Sequence, residues 1–184
     1  MNTLAHHDIG EETIDLLQRL IALASVNDLT PDSGNEEAAA HLFETFFAGL
    51  PVEVERIEPH PGRTTLVVTL RGSDPSAQPL TFLGHTDVVP VDEKHWTHPP
   101  FAGEISEGSI WGRGCVDMLH LTAAMAVVTR RLAEEVSRGG ARPAGTLTFV
   151  AAADEEARGG LGIPWIGEHR SDAFPWDAQL SEMG

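Results

Sequence analysis

The apolar residues near the N-terminus recur with the spacing of α-helices. Residues 11–25 predict one helix and residues 35–47 a second, with Asn35 as the N-cap of the second. The side chains expected to face a core are Ile14, Leu16, Leu17, Leu20, Ile21, Leu23 and Ala24 in the first helix, and Ala39, Leu42, Phe43 and Phe46 in the second. Each helix should therefore pack through one apolar face.

Beyond residue 50, short apolar or alternating runs predict strands. These runs lie at residues 52–57, 64–70, 79–84, 146–152 and 177–180, with helical patterns at 118–138 and 159–169. A hairpin is expected at Glu107-Gly108. The alternation of helices and buried strands predicts an α/β fold, a three-layer sandwich around a mostly parallel central sheet. Because the chain stops directly after the last strand signal, we expect this sandwich to be incomplete at the C-terminus.

Composition narrows the function classes. The 184 residues carry 12 basic and 28 acidic side chains, a net charge of −16, which argues against nucleic acid and anionic membranes as partners. Part of the acidity suits divalent cations, although acidic surfaces also keep proteins soluble. The single cysteine, Cys115, excludes an internal disulfide and a cysteine-rich zinc finger. Because the sequence shows neither a signal-peptide pattern nor a membrane-length apolar run, we expect a cytoplasmic enzyme.

Two polar clusters offer candidate ligands beside a predicted strand and a predicted helix. In GHTD, His85 and Asp87 are two residues apart, so both side chains point the same way in an extended chain. Such a carboxylate fixes the tautomer of a metal-binding histidine, although HxD more often marks a strand-end histidine with a hydrogen-bonding neighbour. In GRGCVDM, Asp117 directly precedes the helix 118–138 and is either a ligand or the cap of that helix.

A third cluster, Asp154-Glu155-Glu156, follows the strand 146–152. Adjacent carboxylates repel one another unless cations or water screen them, so this segment is either a ligand site or a solvated acidic turn. Glu182 follows the next strand and carries almost no information alone. Together, one histidine and several carboxylates at successive strand ends suit zinc or a similar divalent ion. A bridging carboxylate suits a pair of metals about 3.5–4 Å apart.

The motifs HTDVVP, WTHPPFAGEI, GSIWGRGCVDM, DEEARGG and SEMG occur in this order. They resemble the zinc-dependent family of aminoacylases, acetylornithine deacetylase, succinyl-diaminopimelate desuccinylase and glutamate carboxypeptidase, over essentially the whole chain from about residue 10. The resemblance implies a hydrolase that cleaves an amide or peptide bond of N-acyl amino acids or small peptides through a zinc-activated water. It also implies two Zn²⁺ ions, with Co²⁺ or Mn²⁺ as possible substitutes.

The resemblance further implies a role for each site residue. The metal ligands would be His85 and Glu182 on the first zinc, Glu156 on the second, and Asp117 bridging both, followed by a peptide bond that is often cis. Asp87 would orient His85. Glu155 would be the general base that takes a proton from water and passes it to the leaving amine. Arg113 or Arg158 could bind a substrate carboxylate.

The chain departs from the family pattern in two respects. The family commonly reads GRGAxDMKG, whereas here Cys115 replaces the alanine and Leu119-His120 replaces Lys-Gly. We expect Cys115 to be a small buried residue rather than a sulfur ligand, and His120 to be structural. No motif supplies the family's lid domain, which usually dimerises, or its final histidine. The 184 residues are therefore expected to be the N-terminal portion of the catalytic domain, binding metal weakly and hydrolysing little or nothing, while the full-length protein forms a homodimer.

Two other functions stay open at this point. A truncated, inactive homologue that acts as a binding or regulatory module is slightly favoured by the altered DMLH segment, and metal content would distinguish it from the enzyme. An α/β hydrolase with a covalent nucleophile is disfavoured, because the sequence contains no G-x-S-x-G elbow and Cys115 lacks the strand–nucleophile–helix context.

Overall fold

The computed structural model describes residues 8–30, 32–157 and 160–182 of the chain. Its helices are α1 (Ile9–Ala22), α2 (Glu37–Phe47), α3 (Leu119–Ser137) and α4 (Ile163–His169). Its strands are β1 (Glu53–His60), β2 (Arg63–Leu70), β3 (Leu80–His85), β4 (Glu104–Ser106), β5 (Ser109–Trp111), β6 (Leu147–Ala152) and β7 (Gln179–Leu180). Within these ranges, no helix is both long and apolar enough to cross a lipid bilayer.

Five of the strands form one mixed sheet in the order β1-β2-β6-β3-β7. β3 runs parallel to both β6 and β7, and its last residue, His85, pairs with Ala152 at the end of β6. β2 pairs antiparallel with β1 on one side and with β6 on the other. The short connection between β1 and β2 is compatible only with a hairpin. The predicted α/β class is confirmed, and the parallel pairing lies in the half of the sheet that contains β3.

The sheet is the middle of three layers, as predicted. On one face it packs against α1, α2 and α3, where the rings of Phe43 and Phe149 meet edge to face with centroids 5.1 Å apart. On the other face, Val150 packs with Ile166 of α4 and with Phe174. Every residue of β6 is buried, as expected for a central strand covered on both sides.

The first two helices differ from the predictions at their N-termini. α1 begins at Ile9, where the carboxylate of Asp8 accepts a hydrogen bond of 3.0 Å from the amide of Gly10. Ile14, predicted to face the core, is 38% exposed. The buried face of α1 consists of Leu16, Leu17, Leu20 and Ile21. The prediction of Asn35 as the N-cap of α2 is wrong, because Asn35 has a left-handed backbone (φ 54°) and Glu36 occupies the cap position.

The hairpin predicted at Glu107-Gly108 is confirmed. β4 and β5 pair antiparallel, and both turn residues have positive φ angles of 51° and 78°. Two consecutive residues with positive φ are typical of the type I′ turn, whose twist matches that of the flanking strands.

The close packing of β3 on α3 depends on Gly84. A Cβ atom at this position would overlap the hydroxyl of Thr122 and would lie 3.2 Å from the Thr122 Cα atom. The Thr122 hydroxyl donates a hydrogen bond of 2.9 Å to the carbonyl oxygen of His85. α3 therefore holds the end of β3 at the point where His85 leaves the sheet.

Candidate metal centre

The polar residues singled out in the sequence meet at the carboxyl ends of three neighbouring strands. His85 is the last residue of β3, and Glu155 and Glu156 lie in the turn that follows β6. Glu182 lies two residues beyond β7, and Asp117 lies two residues before α3. Ligands of open α/β sheets bind at this edge, so the fold places these side chains where a binding site is expected.

Three of the predicted metal ligands form a compact group. The Nε2 atom of His85 lies 3.1 Å from Asp117 Oδ1 and 3.7 Å from Glu182 Oε1. One ligand atom from each of these residues lies within 4.8 Å of the others. Tetrahedral ligands at about 2.0–2.2 Å from zinc are roughly 3.3–3.6 Å apart, so this donor set fits a divalent ion after small side-chain shifts.

The orientation of the His85 ring leaves the correct nitrogen for a metal. The Nδ1 atom lies 3.0 Å from the backbone carbonyl oxygen of Asp87 and 3.5 Å from the Oδ1 atom of its side chain. A carbonyl oxygen can only accept, so Nδ1 carries the hydrogen and donates. In the neutral ring the lone pair is then on Nε2, which faces Asp117 and Glu182.

Asp117 does not cap α3. The N-cap position of that helix is Met118, and no side chain makes a capping hydrogen bond there. The Asp117 carboxylate is 64% exposed and is directed to His85. The peptide bond between Asp117 and Met118 is cis, as the family resemblance implied. The capping interpretation is therefore wrong, and the carboxylate is available as a ligand.

The buried carboxylate of Asp87 joins the histidine to the acidic turn. Its Oδ1 accepts the backbone amide of Glu155 at 3.2 Å, and its Oδ2 accepts that of Glu156 at 3.0 Å. The same Oδ2 accepts a hydrogen bond of 2.8 Å from the side chain of Asn27, a residue that sequence reasoning missed. Asp87 thus contacts the His85 ring while holding the turn that bears two predicted site residues.

Glu155 and Glu156 occupy different positions around the group of three ligands. An Oε2 atom of Glu155 lies 3.8 Å from His85 Nε2, and this side chain is half exposed, so water can reach it. Glu156 is half-buried and is not a member of that group. Burial raises the pKa of Glu156 to about 7, with the negative charges of Asp117, Asp87 and Glu155 acting in the same direction and His85 opposing them.

The charges of the site also shift the pKa values of its other titratable groups. Burial alone would lower the pKa of His85, but the hydrogen bond and charge of Asp87, the charge of Glu155 and the hydrogen bond to Asp117 raise it to about 9. Burial and the neighbouring Asp117 carboxylate raise the pKa of Glu182. The raised pKa values of Glu156, Glu182 and His85 all indicate that the site carries excess negative charge. A divalent cation would neutralise this charge.

A cavity of about 480 Å³ opens beside the ligands. Its polar wall includes His85, Glu155 and Glu182, and its apolar wall includes Leu83, Met118, Ala152, Ile163 and Pro164. Cys115 is half-buried against the core near α3, and His120 is half-buried on α3. Neither residue is a member of the group of three ligands.

Arg113, one of the two arginines considered for a substrate carboxylate, does not line this cavity. The guanidinium of Arg113 lies over the ring of Trp96 at 5.3 Å and donates to the carbonyl oxygen of Pro90 at 3.2 Å. Arg158 lies outside the described residues.

The shifted pKa values predict how the metal-free protein responds to pH. Protonated His85 stabilises the fold fully below its ordinary pKa of 6.5, and this contribution is lost as the pH rises through about 9. The neutral form of Glu156 contributes below 4.5, and its contribution is lost as the pH rises through about 7. We therefore expect the free energy of unfolding, measured by urea denaturation in the presence of a chelator, to fall between about pH 5 and pH 9.

The His85 part of this fall should be on the order of 2–3 kcal/mol. A His85→Gln variant serves as the control, because it should flatten the upper part of the profile. Metal-free stability that stays constant or rises across this range would contradict the charge balance described above.

Comparison with known proteins identifies a family whose model matches the chain. Residues 81–183, more than half of the chain, match the family described as Peptidase family M20/M25/M40. The fold is similar to that of an M20 family metallo-carboxypeptidase from Sulfolobus solfataricus, at 20% sequence identity and a TM-score of 0.70, over 94% of this chain and 37% of that one. It is equally similar to human carnosine dipeptidase 1, at 20% identity and a TM-score of 0.70, over 95% of this chain and 38% of that one.

A third similar structure is a dinuclear metal binding peptidase of the M20 family from Bacillus subtilis. The two chains share 17% identity with a TM-score of 0.54, over 89% of this chain and 40% of that one. The present chain thus spans about two-fifths of the length of these structures.

Proposed function

Because the chain belongs to peptidase family M20/M25/M40, we propose that it forms the metal-binding part of a metal-dependent hydrolase that cleaves amide or peptide bonds. The observation that carries this proposal is the convergence of His85, Asp117 and Glu182 next to Glu155. A metal-dependent hydrolase needs side chains that bind the metal and a second group that can accept a proton from the attacking water. The half-exposed carboxylate of Glu155 meets the second requirement.

We propose that two divalent ions, Zn²⁺ or else Co²⁺ or Mn²⁺, are held by these residues. His85 and Glu182 would hold the first ion, Glu156 the second, and Asp117 both. Bound zinc would polarise the scissile carbonyl and bring the pKa of a water molecule to about 7. The similar Bacillus subtilis protein is a dinuclear metal binding peptidase, which supports a pair of ions in this chain without assigning their ligands.

The chain's own residues would perform the proton transfers. Glu155 would accept a proton from the attacking water at a carboxylate oxygen and later deliver it to the leaving amine. Asp87 would keep the Nδ1 hydrogen of His85 in place, because the ring donates to this residue. The bond from His85 goes to the backbone carbonyl oxygen of Asp87, while the Asp87 carboxylate would keep the backbone of Glu155 and Glu156 in position through two amide hydrogen bonds.

The substrate class proposed here is N-acyl amino acids or small peptides. The apolar wall of the cavity would accept an uncharged acyl group or side chain, since Leu83, Ile163 and Pro164 offer no charge partner. Similar folds described as a metallo-carboxypeptidase and a dipeptidase support peptide substrates.

We propose that the 184 residues are the N-terminal portion of a catalytic domain. The chain covers about two-fifths of the length of similar structures, which supports this proposal. A lid domain elsewhere in the full-length protein would form a homodimer. A cytoplasmic location stays part of this proposal.

The 184-residue chain with two equivalents of Zn²⁺ is expected to hydrolyse N-acetyl amino acids and dipeptides at or near the background rate. The second metal would have too few ligands, so the electrostatic stabilisation of the reaction would be incomplete. In the full-length protein, replacement of Glu155 by alanine should lower kcat by roughly 10²–10⁴-fold, measured by release of the free amine. Zinc-dependent turnover by the 184-residue chain, lost in its Glu155→Ala variant, would contradict the expected inactivity.

A second candidate function is a metal-free binding or regulatory module. The observation that favours it is the Leu119-His120 pair in place of the family's Lys-Gly. Metal analysis of the full-length protein separates the two functions. About two zinc ions per chain would support the hydrolase, and none would support the module.

A further inference from the structure

A buried polar network lies next to the candidate metal centre and holds the carboxylate of Asp87. Its members are Asn27, Glu36, Arg63, Asp87 and Asp154, each at most 4% exposed. They come from five separate segments of the chain: the connection after α1, the start of α2, the start of β2, the end of β3 and the turn after β6. Charged groups at this depth normally need partners, so their connections indicate what the network does.

The amide of Asn27 has only one orientation compatible with its neighbours. Its Oδ1 accepts hydrogen bonds from Arg63 Nη2 at 3.2 Å and from the backbone amide of Leu29 at 3.2 Å. Both partners can only donate, so the oxygen faces them and the NH₂ group faces the opposite way. That NH₂ group donates to Asp87 Oδ2 at 2.8 Å and to Asp154 Oδ1 at 3.0 Å. One side-chain amide therefore separates and bridges two buried carboxylates.

The backbone also fixes the position of Asn27. Its amide donates to the carbonyl oxygen of Val88 at 2.8 Å, and the amide of Val88 donates to Ser25 at 2.9 Å. This short parallel bridge joins the connection after α1 to the segment that contains Asp87. The bridging amide consequently sits at a fixed distance from the end of β3.

The far side of the network anchors the acidic turn. Arg63 Nη1 lies 2.7 Å from Glu36 Oε1 and 3.6 Å from Asp154 Oδ1. The same Glu36 oxygen accepts the backbone amide of Asp154 at 3.2 Å. Asp154 has a left-handed backbone (φ 58°), which a non-glycine residue adopts at a cost unless its surroundings impose it. The network supplies those surroundings one residue before Glu155.

We propose that Asn27 is a positioning residue of the metal centre: its amide ties Asp87, which holds His85, to Asp154, which begins the turn bearing Glu155 and Glu156. The inference rests on the proposed metal-binding function of the site. Among the described residues, the Asn27 side chain makes no hydrogen bond to a candidate ligand, so it acts on the site through Asp87 and Asp154. Its role is to set the spacing between the two halves of the site, one on β3 and the other after β6.

The test measures the binding of Co²⁺ to the 184-residue chain by calorimetry and by the visible absorption of the bound ion. Asn27→Leu keeps the approximate shape of the side chain and removes every side-chain hydrogen bond, so Co²⁺ should bind about 10–100-fold more weakly with an altered spectrum. Asn27→Ser keeps a single hydroxyl donor and should give an intermediate affinity. This smaller change decides the question if the leucine variant fails to fold.

The matched control is Thr129→Val, which removes a buried hydroxyl that donates to Met125 at 2.8 Å. This position is about 15 Å along α3 from the start of the helix. The control should lower the free energy of unfolding but leave Co²⁺ affinity and spectrum unchanged. If the folded Asn27 variants bind Co²⁺ within about twofold of the wild-type chain, Asn27 is only structural and the inference is wrong. If neither the wild-type chain nor the full-length protein binds Co²⁺, the proposed metal-binding function fails instead.

Discussion

In the full-length protein, an Asp117→Ala variant is expected to lose measurable binding of both metal ions, the largest loss of any single substitution at the site. The reason is that one carboxylate would serve both ions, so its removal takes a ligand and a negative charge from each. The loss should exceed the roughly 10–100-fold that removal of an outer hydrogen-bond partner of a ligand costs. Calorimetric titration with Zn²⁺ or Co²⁺ measures it directly.

Two control variants make the bridging role visible. Glu182→Ala should weaken only the first ion, and Glu156→Ala should weaken only the second. Because the Asp117 side chain is 64% exposed, its replacement should change the free energy of unfolding of the metal-free protein by only about 0.5 kcal/mol. An Asp117→Ala variant that retains one ion at wild-type affinity would show that Asp117 belongs to a single metal position.

Replacement of Arg63 by methionine is expected to give the largest loss of stability, about 3–5 kcal/mol. Arg63 is 1% exposed and faces the buried carboxylates of Glu36 and Asp154, which are 0% and 4% exposed. Methionine fills similar space without the positive charge, so it leaves two buried negative charges uncompensated. Urea denaturation at pH 8 measures the loss.

The exposed ion pair at the other end of β2 provides the control for Arg63. Arg71 makes two hydrogen bonds to Glu53, at 3.0 and 2.6 Å, but their side chains are 65% and 61% exposed. Arg71→Met should therefore cost less than about 1 kcal/mol. The loss in Arg63→Met should be smaller at pH 5 than at pH 8, because burial raises the pKa of Glu36 to about 6 and a neutral carboxyl needs no cation. Equal losses in the two arginine variants would contradict the network.

The elements of the fold could be predicted where the hydrophobic pattern is strong. The strand β6 is recognisable because all of its residues are buried, and the helix α3 because its buried residues recur at helical spacing. The ends of the helices were harder to predict from the sequence, as Asn35 shows. Its side chain suits an N-cap, yet the buried pairing of Glu36 with Arg63 imposes a different start on α2. Tertiary contacts of this kind override local preferences.

The candidate site was predictable only in part. His85, Asp117 and the acidic turn stand in recognisable motifs, whereas Glu182 has no local signal and depends on the family resemblance. No local sequence pattern indicated a role for Asn27 or Arg63. Asn27 contacts its partners in the network across 36 to 127 residues of sequence. A single asparagine after a helix is common, and only the three-dimensional structure places its amide between two carboxylates.

The most direct test of the two-metal centre is a crystal structure of the chain grown with Zn²⁺, with anomalous scattering recorded at the zinc edge. A peak is predicted at about 2.0–2.2 Å from His85 Nε2 and from oxygen atoms of Asp117 and Glu182. A second, weaker peak is predicted about 3.5–4 Å from the first, between Asp117 and Glu156. No anomalous peak at His85, in crystals where zinc binds elsewhere on the surface, would contradict the proposed metal centre.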